Sequence, residues 1–166
     1  MRRIWGIILA AAVLVAAGAC AATSDAPSDT AVVERVVDGD TVIVRASGER
    51  IRVRLIGVDT PETVKPGAPV ECYGPEASAY VHQVLAEGEE VRLEYDLDRL
   101  DRYERTLAYV FRERDDLFVN RELVGRGFAV VLTIRPNVAH LGEFAAAERA
   151  ARAARRGLWG ACSRAP

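Results

Sequence analysis

Three short clusters hold the side chains of this chain that could do chemistry. Val37-Asp38-Gly39-Asp40-Thr41 puts two carboxylates around a glycine. Arg54-Leu55-Ile56-Gly57-Val58-Asp59-Thr60-Pro61-Glu62 packs an arginine, two acids and a threonine into one stretch. Asp101-Arg102-Tyr103-Glu104-Arg105 precedes the apolar run from Thr106 to Tyr109. Taken alone, the first is a hairpin turn, the second a surface strand ending in a proline turn, and the third a solvated charged loop. Taken together they form a coherent set. Asp40 and Asp59 can share one hard cation, and two carboxylates with a carbonyl and waters suit calcium. Glu62 can hold or deprotonate a water beside that ion. Arg54 and Arg105 offer planar forks to a phosphate. A metal acting as Lewis acid, a carboxylate that prepares water and cations for charge developing on phosphorus are the equipment of phosphodiester hydrolysis.

These residues need elements to place them. From Ala31 the chain reads as strand: a β-branched run from Val32 to Val37, the Asp38-Gly39 turn, then Thr41-Val42-Ile43-Val44. Ser47-Gly48 marks a second turn, and Arg50-Ile51-Arg52-Val53-Arg54-Leu55 alternates polar with apolar, so Ile51, Val53 and Leu55 face the core and Arg54 the opposite side. The three strands make an antiparallel meander that brings Asp40 near Asp59. Residues 60–73 form a long loop, 75–85 a helix opened by proline, 91–95 and 106–112 two more strands, 117–126 a second helix stopped by Gly127, and 140–156 a third. This order fits an α+β, mainly β fold: a five-stranded barrel of the OB type with about three helices.

Composition sets the limits. The chain has 166 residues, is 50% hydrophobic and carries a formal charge of −2. Residues 1–19 read as a secretory signal, with Arg2 and Arg3, an apolar middle and the small residues Ala16 to Ala19. Without them 20 basic residues stand against 24 acidic ones, a net charge of −4. With two histidines, His82 and His140, a multi-histidine metal centre is excluded. The charge excludes a protein that coats nucleic acid, and no second apolar run approaches the ~20 residues of a membrane span. Ala17-Gly18-Ala19-Cys20 allows two exported forms: a lipoprotein acylated at Cys20, or a secreted protein. Either lies outside the cytoplasmic membrane. Residues 20–30 read as a flexible tether, 31–162 as the folded domain and 163–166 as a tail. In an oxidising compartment Cys72 and Cys162 form a disulfide, closing a loop of about ninety residues that contributes ~4 kcal/mol. His82 and His140 have no second ligand partner in the sequence.

The chain resembles the staphylococcal nuclease (thermonuclease) family. The resemblance rests on Val37 to Val42, on Arg54 to Glu62 with its Val-Asp-Thr-Pro-Glu core, and on Tyr73-Gly74-Pro75-Glu76-Ala77. It continues through Asp101-Arg102-Tyr103-x-Arg105-x-Leu107-Ala108-Tyr109, Val119-Asn120-x-x-Leu123-Val124 and Pro136-Asn137. It implies an OB-type barrel carrying a calcium-dependent nuclease for DNA and RNA that leaves 3′-phosphates. Asp40 and Asp59 match the calcium carboxylates, and Thr60 the residue that ligates through its carbonyl. Glu62 matches the general base, Arg54 and Arg105 the phosphate-binding arginines, and Arg102 and Tyr103 positions that help hold the nucleotide's phosphate. Two departures stand out. Glu104 replaces a glycine, and Leu132 and Ile134 replace tyrosines near the nucleotide, which should weaken stacking on bases. The expectation is a monomeric, exported, weaker-binding nuclease. The competing expectation is a noncatalytic OB module that binds single strands or a protein.

Overall fold

A computed structural model describes residues 28–63, 67 and 69–163. The signal segment 1–19, Cys20 and residues 21–27 of the expected tether lie outside the described residues.

Strands β1 (Ser28–Val36), β2 (Thr41–Ala46) and β3 (Glu49–Leu55) form the expected antiparallel meander, with Val36 opposite Val42 and Thr41 opposite Arg54. The β2–β3 hairpin turns at Ser47 and Gly48, both at positive φ (50° and 85°), as a tight two-residue turn requires. Strand β4 (Val58–Asp59) follows, then helix α1 (Gly74–Val84) and strands β5 (Glu90–Glu94) and β6 (Thr106–Arg112). Strand β5 pairs with both β1 and β6, and β6 lies parallel to β3. The ring β1-β2-β3-β6-β5 is therefore a closed five-stranded barrel in which each strand has two neighbours.

The barrel interior is filled by alternate residues of these strands, among them Val33, Val42, Val44, Val53, Leu93 and Val110, all fully buried. Helix α1 adds Val81 and Val84 to that core, and helix α2 (Val119–Arg126) adds Val119, Leu123 and Val124. Helix α3 (Leu141–Ala153) packs through Phe144 on Ile56, Leu107 and Tyr109. Gly57, at φ 79°, lets the chain turn beneath that ring; a Cβ there would stand 2.4 Å from Phe144. The short strands β7 (Leu117–Phe118) and β8 (Val130–Val131) pair with β6 and β4, and the four-residue helix α4 (Leu158–Ala161) ends the fold. Cys72 and Cys162 are joined by a disulfide, with Cα atoms 6.0 Å apart.

The structure moves several boundaries. Strand β1 starts at Ser28, so Ser28 to Thr30 belong to the sheet and not to the tether; they pair with Glu94, Leu93 and Arg92, and Tyr95 donates its hydroxyl to Asp29 at 2.7 Å. Small polar residues carry no strand signal of their own, and here the partner strand supplies the ladder. Leu117 and Phe118 extend the sheet before α2 begins, because Phe118 stacks on Phe111 across the β6–β7 pair with centroids 4.3 Å apart. Helix α3 is shorter than the expected 140–156, and Arg155 just beyond it sits at φ 53°. Leu158 is the fully buried residue that seats α4, while Trp159 lies half-buried under the Arg152 guanidinium.

Candidate active site and family

Asp40 sits where the β1–β2 turn enters β2. Its backbone carbonyl accepts from the Leu55 amide at 2.9 Å, which fixes the start of β2 against the end of β3. Its own amide donates to Asp38 Oδ1 at 3.1 Å, and the Thr41 hydroxyl donates to Asp40 Oδ1 at 2.9 Å. Asp40 is 8% exposed. Burial pushes its pKa up to about 7, Arg54 working against that shift and Asp38 adding to it.

Arg54 keeps the outward side of its strand but is not exposed there. It is 5% exposed, buried beneath the acids of the site. Nη1 donates to the carbonyls of Leu55 and Val58, each at 2.7 Å. Nη2 touches Asp40 Oδ2 at 3.0 Å and Asp59 Oδ1 at 3.1 Å. A single guanidinium nitrogen thus lies against both carboxylates. Asp59 is more open than Asp40. Burial still raises its pKa by more than Arg54 lowers it, and Glu71, Glu62 and Asp38 push in the same upward direction as burial.

Thr60 follows Asp59, and its amide approaches Asp40 Oδ2 at 3.5 Å. Gly39 makes this approach possible, since a Cβ there would stand 2.5 Å from Thr60 Oγ1. Glu62 lies just beyond Pro61. Its amide donates to Glu71 Oε2 at 3.0 Å, and its carbonyl accepts from the Glu71 amide at 2.9 Å. Arg105 enters from the loop between β5 and β6. Asp101 Oδ2 accepts from Arg105 Nε at 2.7 Å, and Oδ1 accepts from the amides of Tyr103 and Arg105, both at 2.9 Å.

These groups line one polar cavity of about 390 Å³: Asp38, Asp40, Arg54, Asp59, Thr60, Pro61, Glu62, Tyr103 and Arg105. The sequence-derived candidates are therefore gathered in one place, with one exception. Arg102 faces an adjoining groove with Leu100, Leu132 and Ile134, where its guanidinium covers the Tyr103 ring and donates to the Tyr103 hydroxyl at 2.6 Å. Glu104 is exposed and does not pair with Arg105, whose ion-pair partner is Asp101. Three further contributors stand out only in the structure. In the sequence Asp38 reads as a turn residue, although its spacing of two from Asp40 is a signal, Glu71 carries no signal, and Asp101 reads only as part of a motif. The two histidines lie elsewhere: His82 contacts the Ser78 carbonyl, and His140 packs against Tyr109, Phe118 and Phe144.

The donor chemistry fits a hard cation. Every donor at the acidic end of the cavity is oxygen, the two carboxylates are crowded against one another, and burial opposes their charge. Among the described residues no group of three or more His, Cys, Asp or Glu side chains is arranged to enclose a metal. A bound ion would therefore draw on the Thr60 carbonyl and on water besides Asp40 and Asp59.

The family model described as staphylococcal nuclease homologue matches residues 52–161. The chain belongs to the staphylococcal nuclease family. Its relatives agree. It is 42% identical over 139 residues to the thermonuclease of Staphylococcus hyicus, covering 84% of this chain and 80% of that one. It is 47% identical over 115 residues to the thermonuclease of Staphylococcus intermedius, covering 69% and 67%. Endonuclease YncB of Bacillus subtilis (strain 168) is 37% identical over 128 residues, 76% of this chain and 59% of that one. For this family member the barrel is thus a nuclease scaffold, with the polar cavity at the junction of β2, β3 and β4.

Proposed function

We propose that this nuclease is an exported, calcium-dependent enzyme that cleaves DNA and RNA with little sequence preference and leaves 3′-phosphates. The observation that supports it most is the convergence of Asp40, Asp59, Thr60, Glu62, Arg54 and Arg105 on one cavity, from the β1–β2 turn, β3, β4 and two loops. Asp40 and Asp59, with the Thr60 carbonyl, would hold the calcium ion. When bound, calcium supplies a Lewis acid for a phosphoryl oxygen and offsets the burial that opposes ionised Asp40.

The remaining work falls to the chain's own side chains. Glu62 accepts a proton from the attacking water. Arg105, held at Nε by Asp101, turns its two terminal nitrogens to the phosphate, where they can stabilise the charge that develops on its oxygens. Arg54 keeps the two carboxylates in register through Nη2 while Nη1 is anchored on the backbone. Tyr103 and Arg102 form the wall on which the nucleotide lies. Residues 1–19 direct export, followed by acylation at Cys20 or release, and the enzyme acts as a monomer. The test is digestion of a plasmid and of an RNA with calcium and with a chelator, with end-group analysis of the products. Calcium-dependent cleavage of both, with 3′-phosphate ends, is expected; binding without cleavage would instead establish the noncatalytic module.

A further inference from the structure

Glu62 and Glu71 are drawn together into a neck by a reciprocal pair of hydrogen bonds. The Glu62 amide donates to the Glu71 carboxylate at 3.0 Å, and the Glu71 amide donates to the Glu62 carbonyl at 2.9 Å. The neck is tightened by Gly74, whose amide donates to the Glu71 carbonyl at 3.1 Å; a Cβ on Gly74 would stand 3.1 Å from the carbonyls of both Pro61 and Glu62. Between Glu71 and this contact lies Cys72, bonded to Cys162.

Cys162 is not a loose end. It closes α4, its amide donating to the Leu158 carbonyl at 3.0 Å, and Leu158 is fully buried. The Leu158 amide donates to the Gly127 carbonyl at 2.9 Å, at the end of α2. Gly127 and Gly157 touch so closely that a Cβ on Gly157 would stand 2.2 Å from the Gly127 carbonyl oxygen. A chain of fixed contacts thus runs from the helical layer through α4 and the disulfide to Glu71, and from Glu71 to the backbone of Glu62.

We propose that Glu71 is a positioning residue for Glu62, and that the Cys72–Cys162 disulfide is a redox-sensitive brace that holds it in place. The proposal rests on the reading of Glu62 as the group that prepares the attacking water. Cys72 and Glu71 are exposed, so the bridge is open to a small thiol reductant. A dithiol reduces it by two successive exchanges. Its first thiolate attacks one sulfur and releases the other as a thiolate, which takes up a proton. The second reductant thiolate then closes the reductant into its cyclic disulfide, leaving thiols at Cys72 and Cys162. Oxidation by a disulfide of the glutathione class reverses the exchange. With the bridge open, Glu71 and the neck are released from α4, and the Glu62 backbone that carries the carboxylate loses its fixed place beside the cavity. Because a misplacement of about 1 Å can cost on the order of 10²-fold, turnover is the quantity that should move. A chain synthesised in a reducing compartment and oxidised after export would reach full turnover only on oxidation.

The test compares oxidised protein with protein reduced by dithiothreitol, and with Cys162→Ser. Expected is a fall in kcat of about tenfold or more, with KM and calcium binding within about twofold, unchanged circular dichroism and faster hydrogen exchange at the Glu62 amide. An unchanged kcat with the bridge shown open by mass would overturn the proposal. Should the reduced chain unfold, two variants with the bridge intact decide. Glu71→Ala should lose turnover as reduction does, and Glu71→Gln, which keeps an acceptor for the Glu62 amide, should restore most of it. Equal turnover in Glu71→Ala and the parent overturns the positioning role. Failure of the oxidised parent to cleave with calcium would strike the nuclease mechanism instead. The exchange rate at the Glu62 amide would then still decide the brace, an unchanged rate on reduction overturning it.

Discussion

Arg54 and Arg105 are alike in sequence character and unlike in what they have to offer a phosphate. Both terminal nitrogens of Arg54 are engaged, by two carbonyls and two carboxylates. Among the described residues the Arg105 side chain is hydrogen-bonded through Nε alone, so its terminal fork is the one presented to substrate. Arg105→Ala should therefore lower kcat/KM by about 10²-fold or more with an unchanged circular dichroism spectrum. Glu62→Gln should lower kcat by a similar factor of about 10² while leaving calcium binding intact. Glu104 follows a different logic. Its backbone holds φ 60°, a region that costs a residue bearing a Cβ roughly 1 kcal/mol, and its side chain faces solvent. Glu104→Gly should leave the cleavage rate unchanged and raise stability by up to about 1 kcal/mol, read from urea unfolding. A faster enzyme would mean that Glu104 reaches Arg105 in solution.

At the level of elements, the site depends on the crossing of β3, β6 and α2. Asn120, fully buried in the first turn of α2, is the pin of that crossing. Its side-chain Oδ1 accepts from the Val110 amide at 2.9 Å, and Nδ2 donates to the Ile56 carbonyl at 2.9 Å and reaches the Ala108 carbonyl at 3.5 Å. Ile56 directly follows Leu55, the residue whose amide holds Asp40, and the Ile56 amide itself donates to the Ala108 carbonyl at 2.9 Å. Asn120→Ala would leave the Val110 amide and the Ile56 carbonyl without that partner, at about 1–3 kcal/mol for each group unsatisfied, while the Ala108 carbonyl keeps the Ile56 amide. A stability loss of about 3 kcal/mol is expected in urea unfolding, although Asn120 touches no part of the cavity.

For the whole molecule, charge and pH act through the long loop between β5 and β6. Burial works against the charge of Asp96, but bonds from the Ala139 amide, the Tyr109 hydroxyl and the Leu97 amide outweigh it and hold the carboxyl below its usual range. Burial is likewise outweighed at Asp101 by the Arg105 amide and guanidinium and the Tyr103 amide. Both pKa values are lower in the folded chain than in the unfolded one, where an aspartate titrates near about 3.9. Their stabilisation is thus fully present above about pH 4 and lost as pH falls through the lowered values. Urea unfolding should show stability declining below about pH 4, with a shallower decline in Asp96→Asn. An identical decline in the variant would remove Asp96 from the acid response.

Alternation in Arg50 to Leu55, the Asp38-Gly39 and Ser47-Gly48 turns and the spacing of Asp40, Asp59 and Glu62 are local signals, and they carry the meander and a polar cluster at its end. The barrel is legible in the order of strands and helices and in the resemblance to a known family. The rest depends on partners far along the chain. Alternation placed Arg54 on the outer face. The structure buries it there, because the β2 turn and β4 fold acids over it and their charge makes a buried guanidinium tolerable. The strand character of Ser28 to Thr30 comes from β5, more than sixty residues away. The tie between the disulfide and Glu62 runs through Glu71, whose role lies in a bond across a loop neck. Residue types and local spacing announce a chemistry. The distances that make it work belong to contacts formed only when the barrel closes.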